Sequence, residues 1–168
     1  MKKLNLGSGT KPLDGYINID MFHRRKVNLV HDCSKPLLFD NESVDEVFSS
    51  HLFEHLKIMC PPNTPDEKAS RWLIEGYVVV LKDWYRVLRE GGKVIIEIPD
   101  FENALKNYLR GDLTTLTTIF GLRRHEGDIH YCGFNFKHLK ILLGEAGFGD
   151  IKEVPAVREN SIRVEGIK

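Results

Sequence analysis

Gly7, Ser8, Gly9 and Asp20 are the residues whose types and spacing first point to chemistry. Leu4 and Leu6 mark a short apolar strand that runs into Gly7-Ser8-Gly9, and Tyr16, Ile17 and Ile19 mark a second strand that stops on Asp20. Glycines after a strand let the backbone approach a bulky ligand. A carboxylate at the tip of the next strand is placed to accept hydrogen bonds from the hydroxyl pair of a ribose. A dinucleotide asks for Gly-x-Gly-x-x-Gly opening straight into a helix whose N-terminus holds a pyrophosphate. Here Pro12 stands at the third glycine position, and the stretch from Gly7 to Tyr16 is too short for an ordinary crossover helix. With Gly15 just beyond Pro12, it holds at most one helical turn. A ligand with a ribose and no phosphate is the better match. The competing roles are structural: the glycines also suit a tight strand exit, and Asp20 also suits a turn cap on the Met21 amide.

The elements that must position these residues follow from hydrophobic pattern. Strands are expected at 2–6, 16–20, 27–31 and 45–50, with almost no helix among the first three. Leu73, Tyr77, Val80, Leu81, Trp84, Val87 and Leu88 recur at three and four, which predicts a helix from Ser70 that stops at Gly91-Gly92. The same periodicity assigns Trp72, Tyr77 and Trp84 to the core. Val94 to Ile98 is a short apolar run, as in a central strand buried on both faces. Leu139, Leu142, Leu143 and Ala146 stripe a last helix closed by Gly147, ahead of a hairpin from 151–154 and 162–167. Residues 57–70, rich in proline, and 109–136 are long excursions from the carboxyl ends of central strands, where open α/β sheets bind ligands. They are the candidate acceptor-side inserts of a single domain spanning 1–168, although 57–70 serves equally as a plain surface connection. Arg24-Arg25-Lys26 reads as a solvated turn.

Charge and composition narrow the function classes. The 168 residues hold 24 Lys plus Arg against 24 Asp plus Glu. That balance offers no electrostatic case for nucleic acid or an anionic membrane as partner. No apolar stretch is long enough to span a bilayer, and Met1-Lys2-Lys3 leads directly into a strand rather than into a signal sequence's apolar core. Cys33, Cys60 and Cys132 are odd in number and contain no C-x-x-C pair, so they read as free thiols in a reducing, cytoplasmic compartment.

Leu4-x-Leu-Gly-Ser-Gly-x-x-Pro-x-x-Gly-Tyr-x-Asn-Ile-Asp20 resembles the first motif of class I S-adenosylmethionine-dependent methyltransferases, in particular the compact bacterial, type 11-like group with a shortened first connection. Asp32 ahead of Pro36-Leu37-Leu38-Phe39 is similar to the family's Asp-x-x-x-x-Pro-Phe stretch, whose aspartate meets the adenine amino group. Asp45 to His55, Trp84 to Pro99 and Leu139 to Phe148 resemble the fourth strand, the helix, glycine turn and fifth strand, and the last helix of that family. The resemblance runs nearly end to end. It implies an α/β fold: a Rossmann-like, mostly parallel sheet of about seven strands with helices on both faces and a terminal antiparallel hairpin. It also implies an enzyme that uses S-adenosylmethionine, releases S-adenosylhomocysteine and methylates a small-molecule acceptor such as a sugar or other metabolite.

On that resemblance Gly7, Ser8 and Gly9 approach the amino-acid end of the cofactor. Asp20 holds the ribose, Met21 and Asp32 sit by the adenine, Cys33 is a further cofactor-binding candidate, and Ser50 and His51 face the methyl group. Met21 and Phe22 suit either flanking an adenine or packing in a core, and Asp32-x-Ser-x-Pro is also ordinary turn chemistry. Methyl transfer needs a base only for a hydroxyl or protonated amine, and histidine then suits neutral pH. His51, His55, His125 and His130 are candidates, with His51 past the fourth strand and His130 in the acceptor-side loop preferred. His51 and His55 are spaced as metal ligands on one helical face, but no third ligand stands at a recognisable spacing, so no metal is expected. Glu54 reads as a supporting or orienting residue. The chain lacks the family's third glycine, its first helix and its N-terminal covering helix, so a second copy or a partner subunit completing the pocket is an open expectation. A catalytically silent nucleoside-binding or scaffold subunit is the alternative, and an NAD-dependent enzyme is the one that Pro12 argues against.

Overall fold

Leu4 and Leu6 point into the core from the first strand and are fully buried, with Ile19 beside them on the second. These apolar positions seed a parallel ladder. In the computed structural model, which describes residues 1–168, the strands are β1 (Lys3–Leu6), β2 (Ile17–Asp20), β3 (Leu29–Val30), β4 (Val44–Ser50), β5 (Leu88–Pro99), β6 (Gly149–Val154) and β7 (Ser161–Ile167). They form one seven-stranded sheet in the order β3-β2-β1-β4-β5-β7-β6. β1 to β5 run parallel, and β7 is antiparallel to both β5 and β6. This is the mostly parallel, hairpin-ended sheet that the sequence predicts.

The short connection between β1 and β2 is held by side chains where a helix dipole is missing. Asn18 Oδ1 accepts from Asn5 Nδ2 and from the Leu13 amide, both at 2.8 Å, while Asn18 Nδ2 donates to the Leu13 carbonyl at 3.0 Å. Both asparagines are buried. One amide thus fastens the loop to the sheet and satisfies its backbone.

Helix α1 (Asp66–Val87) begins after Pro65, four residues ahead of the predicted start, so it takes over the end of the 57–70 insert. Tyr77, Val80, Leu81, Trp84 and Val87 bury one face, whereas Trp72, at 43% exposure, lies outside the core. Its indole donates to the Met59 carbonyl at 3.0 Å instead, pinning the insert to the helix. The helix does not run to Gly91-Gly92: β5 starts at Leu88, and residues 89–92 bulge between the Val44–Leu88 and Glu46–Lys93 pairs. Helix α2 (Phe101–Leu109), capped by Asp100 through the Asn103 amide, is absent from the sequence reading although Phe101, Ala104, Leu105, Tyr108 and Leu109 recur at three and four. Helix α3 (Leu116–Phe120) packs on it, and helix α4 (Phe136–Ala146), capped by Asn135, packs on α1. The 109–136 excursion therefore contains short helical pieces rather than bare loop.

The three cysteines are free thiols. Burial pushes the Cys33 thiol up to about 12 and raises Cys132 as well, so neither is appreciably ionised near neutral pH. A thiol with that pKa is roughly one part in 10,000 thiolate at pH 8. Alkylation at pH 8, followed by peptide mass spectrometry, is expected to modify Cys60 about 100-fold faster than Cys33. Comparable rates would contradict the burial of Cys33. No helix is long and apolar enough to cross a membrane.

Candidate functional site

The order of the sheet reverses between β1 and β4, and ligands of open parallel sheets bind at the carboxyl ends beside such a reversal. A cleft of about 550 Å³ opens there. Gly7 lines it with φ at 67°, a conformation that side chains resist, and a Cβ there would stand 2.7 Å from the Leu52 Cβ. Asp20 lies at the end of β2 and is 7% exposed. Its Oδ2 accepts from the Gly9 amide at 2.7 Å and its Oδ1 from the Phe22 amide at 2.9 Å. Each carboxylate oxygen has a second lone pair, so the side chain keeps acceptor capacity for hydroxyls. The turn-cap role exists alongside this, on the Phe22 amide rather than on Met21.

The structure brings Gly7, Gly9, Asp20, Met21, Asp32, Cys33 and His51 to the same cleft. Met21 is 56% exposed, which removes core packing as its role. Asp32 realises its turn chemistry, with Oδ1 accepting from the Ser34 amide at 2.9 Å and the Ser34 hydroxyl at 2.7 Å, and still faces the cleft. Arg24 is no simple solvated turn residue: it stacks over the Phe22 ring at 5.5 Å and lines the cleft.

Three predicted residues sit elsewhere. Ser8 is buried and does not line the cleft: its hydroxyl has no hydrogen-bond partner, and its amide donates to the Ile19 carbonyl at 3.0 Å. Ser50 turns its hydroxyl to Glu97 Oε1 at 3.2 Å across the β4–β5 pair. His130 lies behind Glu54, in a small cavity of its own, with Nδ1 on the Thr118 carbonyl at 2.7 Å. Burial holds its imidazole below the ordinary histidine value, against the pull of Glu54.

His51 is held from several sides. It has φ at 54°, uncommon for a residue with a side chain. Its amide donates to the Glu97 carbonyl at 2.8 Å. Its Nε2 meets the Ser161 hydroxyl at 3.2 Å, and its Nδ1 stands 3.4 Å from Glu54 Oε1. Glu97, buried in β5, also takes the Val157 amide at 2.8 Å. Sequence reasoning missed Glu97 and Ser161; the signal available was a lone carboxylate inside the apolar run Val94 to Ile98.

The far wall comes from the 109–136 excursion: Arg124, His125, Asp128 and Tyr131 line the cleft. Arg124 grips Asp128 through two nitrogens at 2.6 and 3.2 Å. His125 meets Phe22 edge-on at 6.1 Å, linking the two walls. The base of this loop is Gly121, at φ 80°, bridged to Ile129. A Cβ there would lie 1.8 Å from the Asp128 carbonyl oxygen. Gly121→Ala is expected to open the loop, costing about 1–3 kcal/mol. Faster tryptic cleavage at Arg123 and Arg124 is the readout, and unchanged cleavage would show that the bridge does not hold the loop.

No protein-family model matches the sequence, and no curated protein sequence matches it. Solved structures do. An S-adenosylmethionine-dependent methyltransferase from Thermotoga maritima superposes with a TM-score of 0.63 at 16% identity, over 99% of this chain and 82% of that one. Another, from Methanosarcina mazei, gives 0.59 at 18% identity, over 99% and 90%. A methyltransferase from Haloferax volcanii, in complex with the Trm112 activator, gives 0.56 at 13% identity, over 99% and 81%. The chain has the class I methyltransferase fold. Within that class it is similar to compact S-adenosylmethionine-dependent members.

Proposed function

We propose that this chain is an S-adenosylmethionine-dependent methyltransferase acting on a small-molecule acceptor. The observation that carries the reading is the Asp20 carboxylate, gripped by the Gly9 amide at the cleft floor with acceptor capacity to spare. The residues present fit the cofactor. Asp20 would hold the ribose hydroxyls, the Gly7–Gly9 backbone would admit the amino-acid end, and Met21, Asp32 and Cys33 would border the adenine. When bound, the cofactor supplies an electrophilic methyl group. The chain's own part is alignment and exclusion of water, and alignment alone is worth roughly 7–11 kcal/mol in favourable cases.

His51 is the residue we assign to the acceptor. Its place on the cleft and its grip by Ser161 and Glu54 suit a base that takes a proton from a hydroxyl or amine. His130, set behind Glu54, is assigned to the acceptor side without direct contact with the cofactor cleft. Neutral overall charge favours a small metabolite over nucleic acid, and three free thiols suit a cytoplasmic setting. One structural neighbour is in complex with an activator, which supports a second copy or partner subunit as cover. Calorimetric titration with S-adenosylmethionine, S-adenosylhomocysteine and NAD tests the reading. Binding of both adenosyl ligands and none of NAD is expected; the reverse selectivity, or no adenosyl binding, would remove it.

A further inference from the structure

Glu54 is 2% exposed, yet neither of its carboxylate oxygens has a hydrogen-bond partner. A buried, unpartnered carboxylate is expensive, and such groups are normally paired, protonated or bound to a cation. Three histidines face it, and His51 Nδ1, at 3.4 Å from Glu54 Oε1, stands near it without completing a hydrogen bond. His55 Nε2 stands 3.8 Å from Glu54 Oε1, and its Nδ1 is tied to the Ile129 carbonyl at 2.9 Å. His130 Nδ1 is likewise tied to the Thr118 carbonyl at 2.7 Å, which leaves its Nε2 free. One ligand atom from each of Glu54, His55 and His130 can be chosen so that all lie within 4.8 Å of one another, and the two rings meet edge-on at 4.6 Å.

We infer that Glu54, His55 and His130 form a binding site for a divalent transition-metal ion. The donor set, two imidazoles and one carboxylate, suits zinc and its first-row neighbours better than magnesium or calcium. Backbone carbonyls on the outer ring nitrogens fix which nitrogen faces the ion, as in established histidine–metal sites. Ligands about 2.1 Å from a shared ion sit roughly 3–3.5 Å apart, a closure within reach of side-chain rotation. Three protein ligands leave a coordination position open. His55 lines the cofactor cleft and His130 lines the small cavity behind it, so the ion would occupy the wall between the two. The third ligand was invisible to spacing arguments because His130 arrives from a different loop. The inference stands on these three side chains and not on the identity of the cofactor.

The test uses the chain without a histidine tag, stripped with EDTA and titrated with Co²⁺ by visible absorption and with Zn²⁺ by calorimetry. One equivalent of each metal is expected, with loss of stoichiometric binding in Glu54→Gln, His55→Ala and His130→Ala and retention in His138→Ala, which alters an exposed histidine of α4. No stoichiometric binding, or binding that survives His130→Ala, would overturn the site. Should a variant fail to fold, diethyl pyrocarbonate modification of the intact chain decides. Zn²⁺ is expected to protect His55 and His130 while His23 and His138 stay reactive, and equal modification with and without Zn²⁺ overturns the proposal.

Discussion

Replacing Phe53 with alanine is expected to cost about 3–5 kcal/mol of folding stability, a third or more of what a domain of this kind holds. Phe53 is fully buried and meets Tyr77 at 5.1 Å, Phe134 at 5.2 Å and Trp84 at 5.9 Å between ring centroids. Deleting the ring removes its transfer free energy, leaves a cavity and forfeits three aromatic contacts of about 0.5–1.5 kcal/mol each. The position has a second consequence. Phe53 opens the short 3-10 turn Phe53–His55 that presents Glu54 and His55, and Phe134 supports the loop that carries His130. The variant should therefore unfold earlier in urea and also lose the fixed geometry around Glu54. Its melting temperature should fall by roughly 6–20 °C. A loss below about 1 kcal/mol would mean that the neighbouring rings collapse into the space, and that this cluster does not set the turn.

Asp20→Asn is expected to weaken S-adenosylmethionine and S-adenosylhomocysteine binding about 10- to 150-fold while leaving the fold intact. Hydrogen bonds to a charged acceptor contribute about 1.5–3 kcal/mol, and the amide has only one accepting oxygen. The remaining nitrogen must point at an N–H, since both carboxylate oxygens already accept, one from Gly9 and one from Phe22. The substitution thus damages the loop next to the ribose as well as the ribose contact. Calorimetry on both proteins, with circular dichroism to confirm folding, is the measurement. Equal affinities would take the ribose role away from Asp20 and leave it as a turn fastener.

The sheet was legible because its signals are local. Leu4, Leu6, Ile19 and Val94 to Ile98 announce buried strands by pattern, and Gly7, Gly9 and Asp20 fall within one short connection. Helix α2 carries such a signal too, since Phe101, Ala104, Leu105, Tyr108 and Leu109 recur at three and four, yet the sequence reading passed over it; the helix is short and buries only Ala104. Trp72 was misassigned to the core: it lies off the stripe of Leu73, Tyr77 and Val80 and satisfies its indole outside the core. The site divided likewise. The wall formed by Gly7, Gly9 and Asp20 could be read, whereas the His51–Ser161, Ser50–Glu97 and Glu54–His130 relations join segments far apart in sequence, and no spacing rule reaches them.

The ties from Ser161 to His51 and from Val157 to Glu97 impose an order of assembly. Residues 3–35 can fold around Asp20 as soon as β4 pairs with β1, through contacts among the first 50 residues. The other side waits for β7, which inserts between β5 and β6 and is made last among the strands. Until then β5 offers a long apolar edge with open backbone groups, a template for pairing with another chain. A chain paused on the ribosome before β7 would hold a formed wall around Asp20, a free β-edge and a His51 without its hydroxyl anchor. The interval between those two states is when this protein is most exposed to aggregation.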